Sequence, residues 1–165
     1  MTDWSIFNPE EPEAVVDRLG KTRSVGILLR SPSPWALGSA LSIAREFARR
    51  GRRVLLCDGM VQQPALNGVA AGLPDEGLSD VVLYGASLDR VRYELDDGLQ
   101  LIGLGTPVVC VSKFYSADAW QEVLDADPDP ACVVLVLLPG DEPALNPLVE
   151  RLQTVVRVAR SPDLS

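Results

Sequence analysis

The sequence predicts a three-layer α/β domain, a mostly parallel sheet flanked by helices, and three observations carry that prediction. The apolar run Val25–Leu29, the helical-period apolar residues from Leu37 onward and the second run Arg53–Asp58 fit one right-handed βαβ unit with parallel strands. The run Ala131–Leu138 is apolar without alternation, as expected of a central parallel strand covered on both faces. The chain has 165 residues, 47% of them hydrophobic, which is enough to bury the core of one domain.

Composition narrows the chemistry. Fifteen basic against twenty-three acidic residues give a net charge of −8, which argues against coating nucleic acid or an anionic membrane. There is no histidine, so imidazole metal sites and Ser-His-Asp or Cys-His hydrolases are excluded. Cys57, Cys110 and Cys132 are widely separated, form no C-x-x-C pair and read as small core residues. No apolar run reaches the roughly 18 residues of a membrane span, and the start Met1–Trp4 lacks a signal-peptide pattern, so a cytoplasmic protein without direct membrane insertion is expected.

In chain order, residues 1–22 read as an N-terminal arm, residues 23–160 as a single α/β domain and residues 161–165 as a tail. The arm is rich in Pro and Glu and carries one short helix, opened by Pro12 and closed at Gly20; Trp4, Ile6 and Phe7 are placed to dock it on its own body or on a partner. Strand one spans roughly 24–30. The helix after it places Leu37, Ala40, Leu41, Ala44, Phe47 and Ala48 inward and Arg45, Glu46, Arg49 and Arg50 outward, with Gly51 as its left-handed stop. Ser33 and Pro34 are a matched N-cap and first helical residue. Beyond Asp58 the expected elements are a short helix begun at Pro64, small helices over 77–85 and 87–91, a strand over 99–105 and an irregular segment over 106–113. A helix over 117–126 capped by Ser116 follows, then the strand 131–138. A last helix follows Pro143, with apolar residues at helical spacing from Leu145 to Ala159.

The stretch Val54-Leu55-Leu56-Cys57-Asp58-Gly59-Met60-Val61-Gln62-Gln63-Pro64-Ala65-Leu66-Asn67 resembles the V-L-L-x-D-x-D-x-R-x-P-x-L segment of the ParA/MinD group of P-loop ATPases. The resemblance is closest to the bacterial tyrosine autokinases and their relatives in exopolysaccharide synthesis and export. Gly77–Leu88, then Gly98–Ile102 and Ser116–Asp118, follow that branch in order. The resemblance implies a P-loop-NTPase-like fold, truncated, because the chain stops about where that family adds more sheet.

The catalytic positions depart from the family's pattern. A phosphate loop needs G-x-x-x-x-G-K-[ST], so that backbone N–H groups converge on the phosphates, a lysine reaches them and a hydroxyl holds Mg²⁺. Here the junction reads Ser31-Pro32-Ser33-Pro34-Trp35-Ala36-Leu37-Gly38-Ser39, and the lysine position falls on Ala36. No lysine stands between Lys21 and Lys113, and two prolines remove N–H donors. Met60 replaces the second acid, Gln62 or Gln63 the arginine, and only Asp141, beyond a Pro-Gly turn, approaches the acid that should follow strand 131–138. Tyr84, Tyr93 and Tyr115 are internal, so no C-terminal tyrosine cluster is present.

Ser33, Trp35, Ala36, Ser39, Asp58 and Asp141 therefore read as a vestigial site, with no catalytic residue, metal ligand or cofactor assigned. The Ser33 and Ser39 hydroxyls, with Ser31, are the groups left to meet an anion, and Trp35 either fills the phosphate pocket or anchors a partner. The expected function is that of a catalytically inactive pseudo-ATPase that regulates or scaffolds a protein partner. That partner would be a homologous ATPase, membrane-associated polysaccharide machinery or a second copy of the chain, with no role for nucleic acid. The rival expectations are a nucleotide-binding enzyme or sensor with an unconventional site, and a cell-division or partitioning adaptor.

Overall fold

In the computed structural model, residues 11–30, 33–138 and 143–158 are described, together with the backbone of 4–7. The order is β1 (Trp4–Phe7), α1 (Pro12–Leu19), β2 (Ser24–Leu29), α2 (Pro34–Arg49), β3 (Arg53–Asp58), α3 (Leu78–Tyr84) and α4 (Leu88–Val91). It continues with β4 (Tyr93–Asp96), β5 (Leu99–Ile102), α5 (Val111–Ser116), α6 (Trp120–Leu124), β6 (Ala131–Leu137), α7 (Asn146–Val149) and β7 (Thr154–Val158). Among the described residues the strands form one seven-stranded sheet in the order β1-β7-β2-β6-β3-β5-β4, parallel throughout except at the β4–β5 edge.

Alternation along the buried strands divides the core into two layers. Ile27, Leu29, Leu56, Val134 and Val136 join Val15 and Val16 of α1 and Ala40, Ile43 and Phe47 of α2 on one face. Leu28, Leu55, Cys57, Leu135 and Leu137 meet α3, α5, α6 and α7 on the other. The expected three-layer α/β architecture is thus the observed one. The central strand β6 is buried at every residue and hydrogen-bonds β2 on one side and β3 on the other.

Several expected elements differ in detail. The start of the arm is a strand of the sheet, with Trp4 opposite Val155 and Phe7 opposite Val158, so the arm docks on its own body through its backbone. The expected last helix is one turn, α7, after which the β-branched run at 154–158 becomes β7 and pairs with both β1 and β2. Valines at 155, 156 and 158 fit a buried parallel strand better than a helix, where branching at Cβ restricts the side chain. The segment expected to be irregular runs into α5, and the helix expected over 117–126 is reduced to α6. Ser116 is not its cap: it ends α5, with its hydroxyl donating to Ser112 O at 2.7 Å. Trp120 ties the two short helices together, its indole N–H donating to Phe114 O at 2.7 Å and its ring packing edge-on against Phe114. The helix expected from Pro64 is a single 3-10 turn over Leu66–Gly68, and β4 forms an unexpected hairpin with β5 around Gly98, whose φ is +80°.

Two surface assignments also change. Glu46 is 4% exposed although the helical wheel turns it outward, and its carboxylate accepts from Arg49 Nε at 2.8 and 3.0 Å. Cys57 and Cys132 are buried as expected, whereas Cys110 is exposed. Burial pushes the Cys132 thiol up to about 12 and Cys57 further still, which leaves both as unreactive core groups.

Candidate functional site

In a doubly wound sheet, ligands gather where strand C-termini meet helix N-termini, so the end of β2, the start of α2 and the end of β3 define the candidate site. The first four expected residues lie at the start of α2. Ser33 is its N-cap, with its hydroxyl accepting from Ala36 N at 3.2 Å, and Pro34 opens the helix without an N–H. The serine thus takes a donor that a phosphate would need. Ala36, at the position the resemblance gives to lysine, is 2% exposed and lies in the core layer beneath α2, with Trp35 partly buried against the same layer. Ser39 is 6% exposed and its hydroxyl donates to Trp35 O at 3.0 Å.

Asp58 stands at the end of β3, with β6 between it and β2. It is fully buried, and its two oxygens accept from Met60 N at 3.0 Å, Ala65 N at 2.9 Å and Leu66 N at 3.0 Å. Burial pushes its carboxyl above the ordinary range, while those three amides favour the charge and pull the other way. Asp58 therefore ties down the loop 59–66. The Tyr115 hydroxyl adds a second tie by donating to Gly59 O. A Cβ at Gly59 would meet Leu137 Cδ2 at 2.7 Å, so the backbone there lies directly against β6. Met60, where the family's second acid would stand, is fully buried in the apolar core.

The structure thus brings Ser33, Trp35, Ala36, Ser39 and Asp58 to one end of the sheet, and the polar groups of Ser33, Ser39 and Asp58 bond the chain's own backbone. Asp141 and Ser31 lie outside the described residues. Among the described residues, no group of three His, Cys, Asp or Glu side chains is placed to hold one metal ion, and no helix is long and apolar enough to cross a membrane.

A polar cluster absent from the sequence-based site joins α3 to the loop after β5. Asp80 accepts from Gly77 N at 2.8 Å, Thr106 N at 3.2 Å and the Thr106 hydroxyl at 2.6 Å. A Cβ at Gly77 would lie 2.2 Å from Gly103 O, so the close approach requires glycine. The Gly-x-x-Asp spacing at 77–80 is the signal that could have revealed it, an acid three residues after a helix start. Burial opposes the charge on Asp80, but the Thr106 hydroxyl and the Gly77 and Thr106 amides outweigh it and hold the carboxyl below its ordinary range. Its contribution to stability is therefore present above the unfolded-state value of about 4 and lost as pH falls through the lower folded value. Acid unfolding followed by circular dichroism should show a shallower loss below about pH 4 for Asp80→Asn than for the parent chain.

No protein-family model matches the sequence, and no curated protein sequence matches it significantly. Solved structures do match in shape. The chimerical protein CapA2B2 superposes with a TM-score of 0.74 at 17% identity, over 93% of this chain and 71% of that one. The kinase domain of Escherichia coli tyrosine kinase ETK gives 0.72 at 17% identity, over 89% and 60%. The MinC:MinD cell division protein complex of Aquifex aeolicus gives 0.53 at 17% identity, over 81% and 55%. The chain thus spans less than two thirds of the latter two. It shares the α/β P-loop-NTPase-like fold of these structures, and at these identities the likeness is one of fold.

Proposed function

We propose that on this fold the chain is a non-catalytic pseudo-ATPase, a cytoplasmic protein that regulates or scaffolds a partner. The observation that supports the reading is the start of α2. Ser33 occupies the Ala36 amide, Pro34 has none to offer, and a buried alanine stands at the position expected for lysine. A triphosphate placed there would meet neither the cation nor the converging N–H groups that stabilise it elsewhere. The partner class that fits the resemblance to tyrosine-kinase domains is a homologous ATPase or membrane-associated exopolysaccharide machinery.

Thermal unfolding with and without Mg²⁺ and ATP tests this reading. A ligand at a hundredfold excess over its Kd adds about 2.7 kcal/mol of stability, which raises the midpoint by several degrees. The expected result is an unchanged midpoint at millimolar nucleotide. A clear rise would favour the nucleotide-sensor alternative.

A further inference from the structure

Charge is unevenly distributed along the chain. Residues 18–53 hold nine of the fifteen basic residues and one acid, Glu46, leaving six basic and twenty-two acidic residues elsewhere. The fold gathers part of this basic segment at the end of the sheet opposite the candidate site, where β2, β3 and β6 begin. The Arg23 guanidinium donates to Asp127 O at 3.0 Å, and that of Arg52 to Ala131 O at 2.7 Å and Gly20 O at 3.4 Å. Arg53 donates its backbone N–H to Pro130 O at 2.9 Å. These partners are carbonyl oxygens, which accept hydrogen bonds without cancelling the charges of Arg23 and Arg52. Arg23 Nε is also buried with no acceptor among the described residues. Lys21 and Arg53 are exposed, and neither takes part in the ion pairs found among the described residues.

Arg53 also lines a cavity of about 640 Å³, which opens between β3, β5 and the β4 edge. Arg92 in the same cavity is neutralised internally, because it pairs with Asp127 and donates to Gln100 Oε1 at 2.6 Å. Asp89 and Glu94 complete the charged lining. We propose that this end of the sheet is a docking surface for an acidic, extended segment of a partner protein, held by Lys21, Arg23, Arg52 and Arg53, with the cavity receiving one of its uncharged side chains. The surface is concave, so it suits an extended segment better than a flat anionic bilayer, and the carboxylates in its cavity favour an uncharged side chain there over an acidic one. Among the described residues, the exposed large apolar side chains Tyr84 and Val109 stand beside a different pocket between α3 and α5.

This surface names the partner chemistry of the scaffold reading and rests on that reading only for its biological use. The test is fluorescence anisotropy of a fluorescein-labelled oligoglutamate dodecamer with the intact chain. Binding should be saturable at low salt and weaken steeply from about 0.1 M to about 1 M salt, as the screening length falls from about 10 Å to about 3 Å. The double variant Lys21→Glu/Arg53→Glu should weaken it about tenfold or more. Lys113→Glu, on α5, should leave it within about twofold. Circular dichroism verifies that each variant is folded. No binding at low salt, equal binding by the double variant and the parent, or tighter binding to phosphatidylserine vesicles or duplex DNA than to the peptide would each overturn the proposal. Nucleotide titration separates the two readings, because ATP binding would remove the pseudo-ATPase while leaving oligoglutamate binding intact.

Discussion

Asp58→Ala is expected to lower folding stability by about 3–4 kcal/mol, because two buried amides and one half-buried amide lose their acceptor at once, each unsatisfied buried donor costing about 1–3 kcal/mol and water partly refilling the space. Those amides belong to Met60, Ala65 and Leu66, so the whole loop after β3 loses its anchor. Urea unfolding should show a lower midpoint with an unchanged slope. Asp58→Asn keeps one oxygen. Placed where Oδ2 now serves both Ala65 and Leu66, it would lose mainly the Met60 bond, so less than half of the alanine penalty is expected. A neutral outcome for Asp58→Ala would mean that the carboxylate is held for a ligand rather than for the loop.

The second large effect is that of restoring a lysine. Ala36→Lys places an ammonium at a position 2% exposed, in the apolar layer under α2, and is expected to cost about 2–4 kcal/mol unless the side chain escapes to solvent. It should bring no affinity for Mg²⁺ and ATP, because Ser33 still holds the amide of residue 36 and Pro34 still offers none. A folded Ala36→Lys variant that binds ATP at micromolar concentration would show that the lysine alone was missing.

Much of this fold is legible in the sequence because its signals are local. Ser33 and Pro34 announce the start of α2, Gly51, with φ +88°, announces its end, and the unbroken apolar run of β6 announces a strand covered on both faces. Where signals compete, tertiary context decides. The spacing of Leu145, Leu148, Val149 and Leu152 suits a helix, yet the valines that follow complete the sheet between β1 and β2. Glu46 has the look of a surface residue because the helical wheel places it beside arginines, and those same arginines neutralise it where it is buried.

The candidate site is legible in what it lacks, since the missing lysine and the two prolines are visible without coordinates. The use of Asp58 as a loop anchor requires the structure, because its oxygens serve amides seven and eight residues onward. The basic end of the sheet requires it too, because Arg23, Arg52 and Arg53 meet around the segment 127–131, remote from all three in sequence.

The measurement that bears most directly on the pseudo-ATPase reading is isothermal titration of the intact chain with ATP in the presence of Mg²⁺, paired with a phosphate-release assay. The expected result is no saturable binding heat at millimolar nucleotide and no release above the uncatalysed background. A micromolar Kd, or hydrolysis that depends on Asp58, would contradict it.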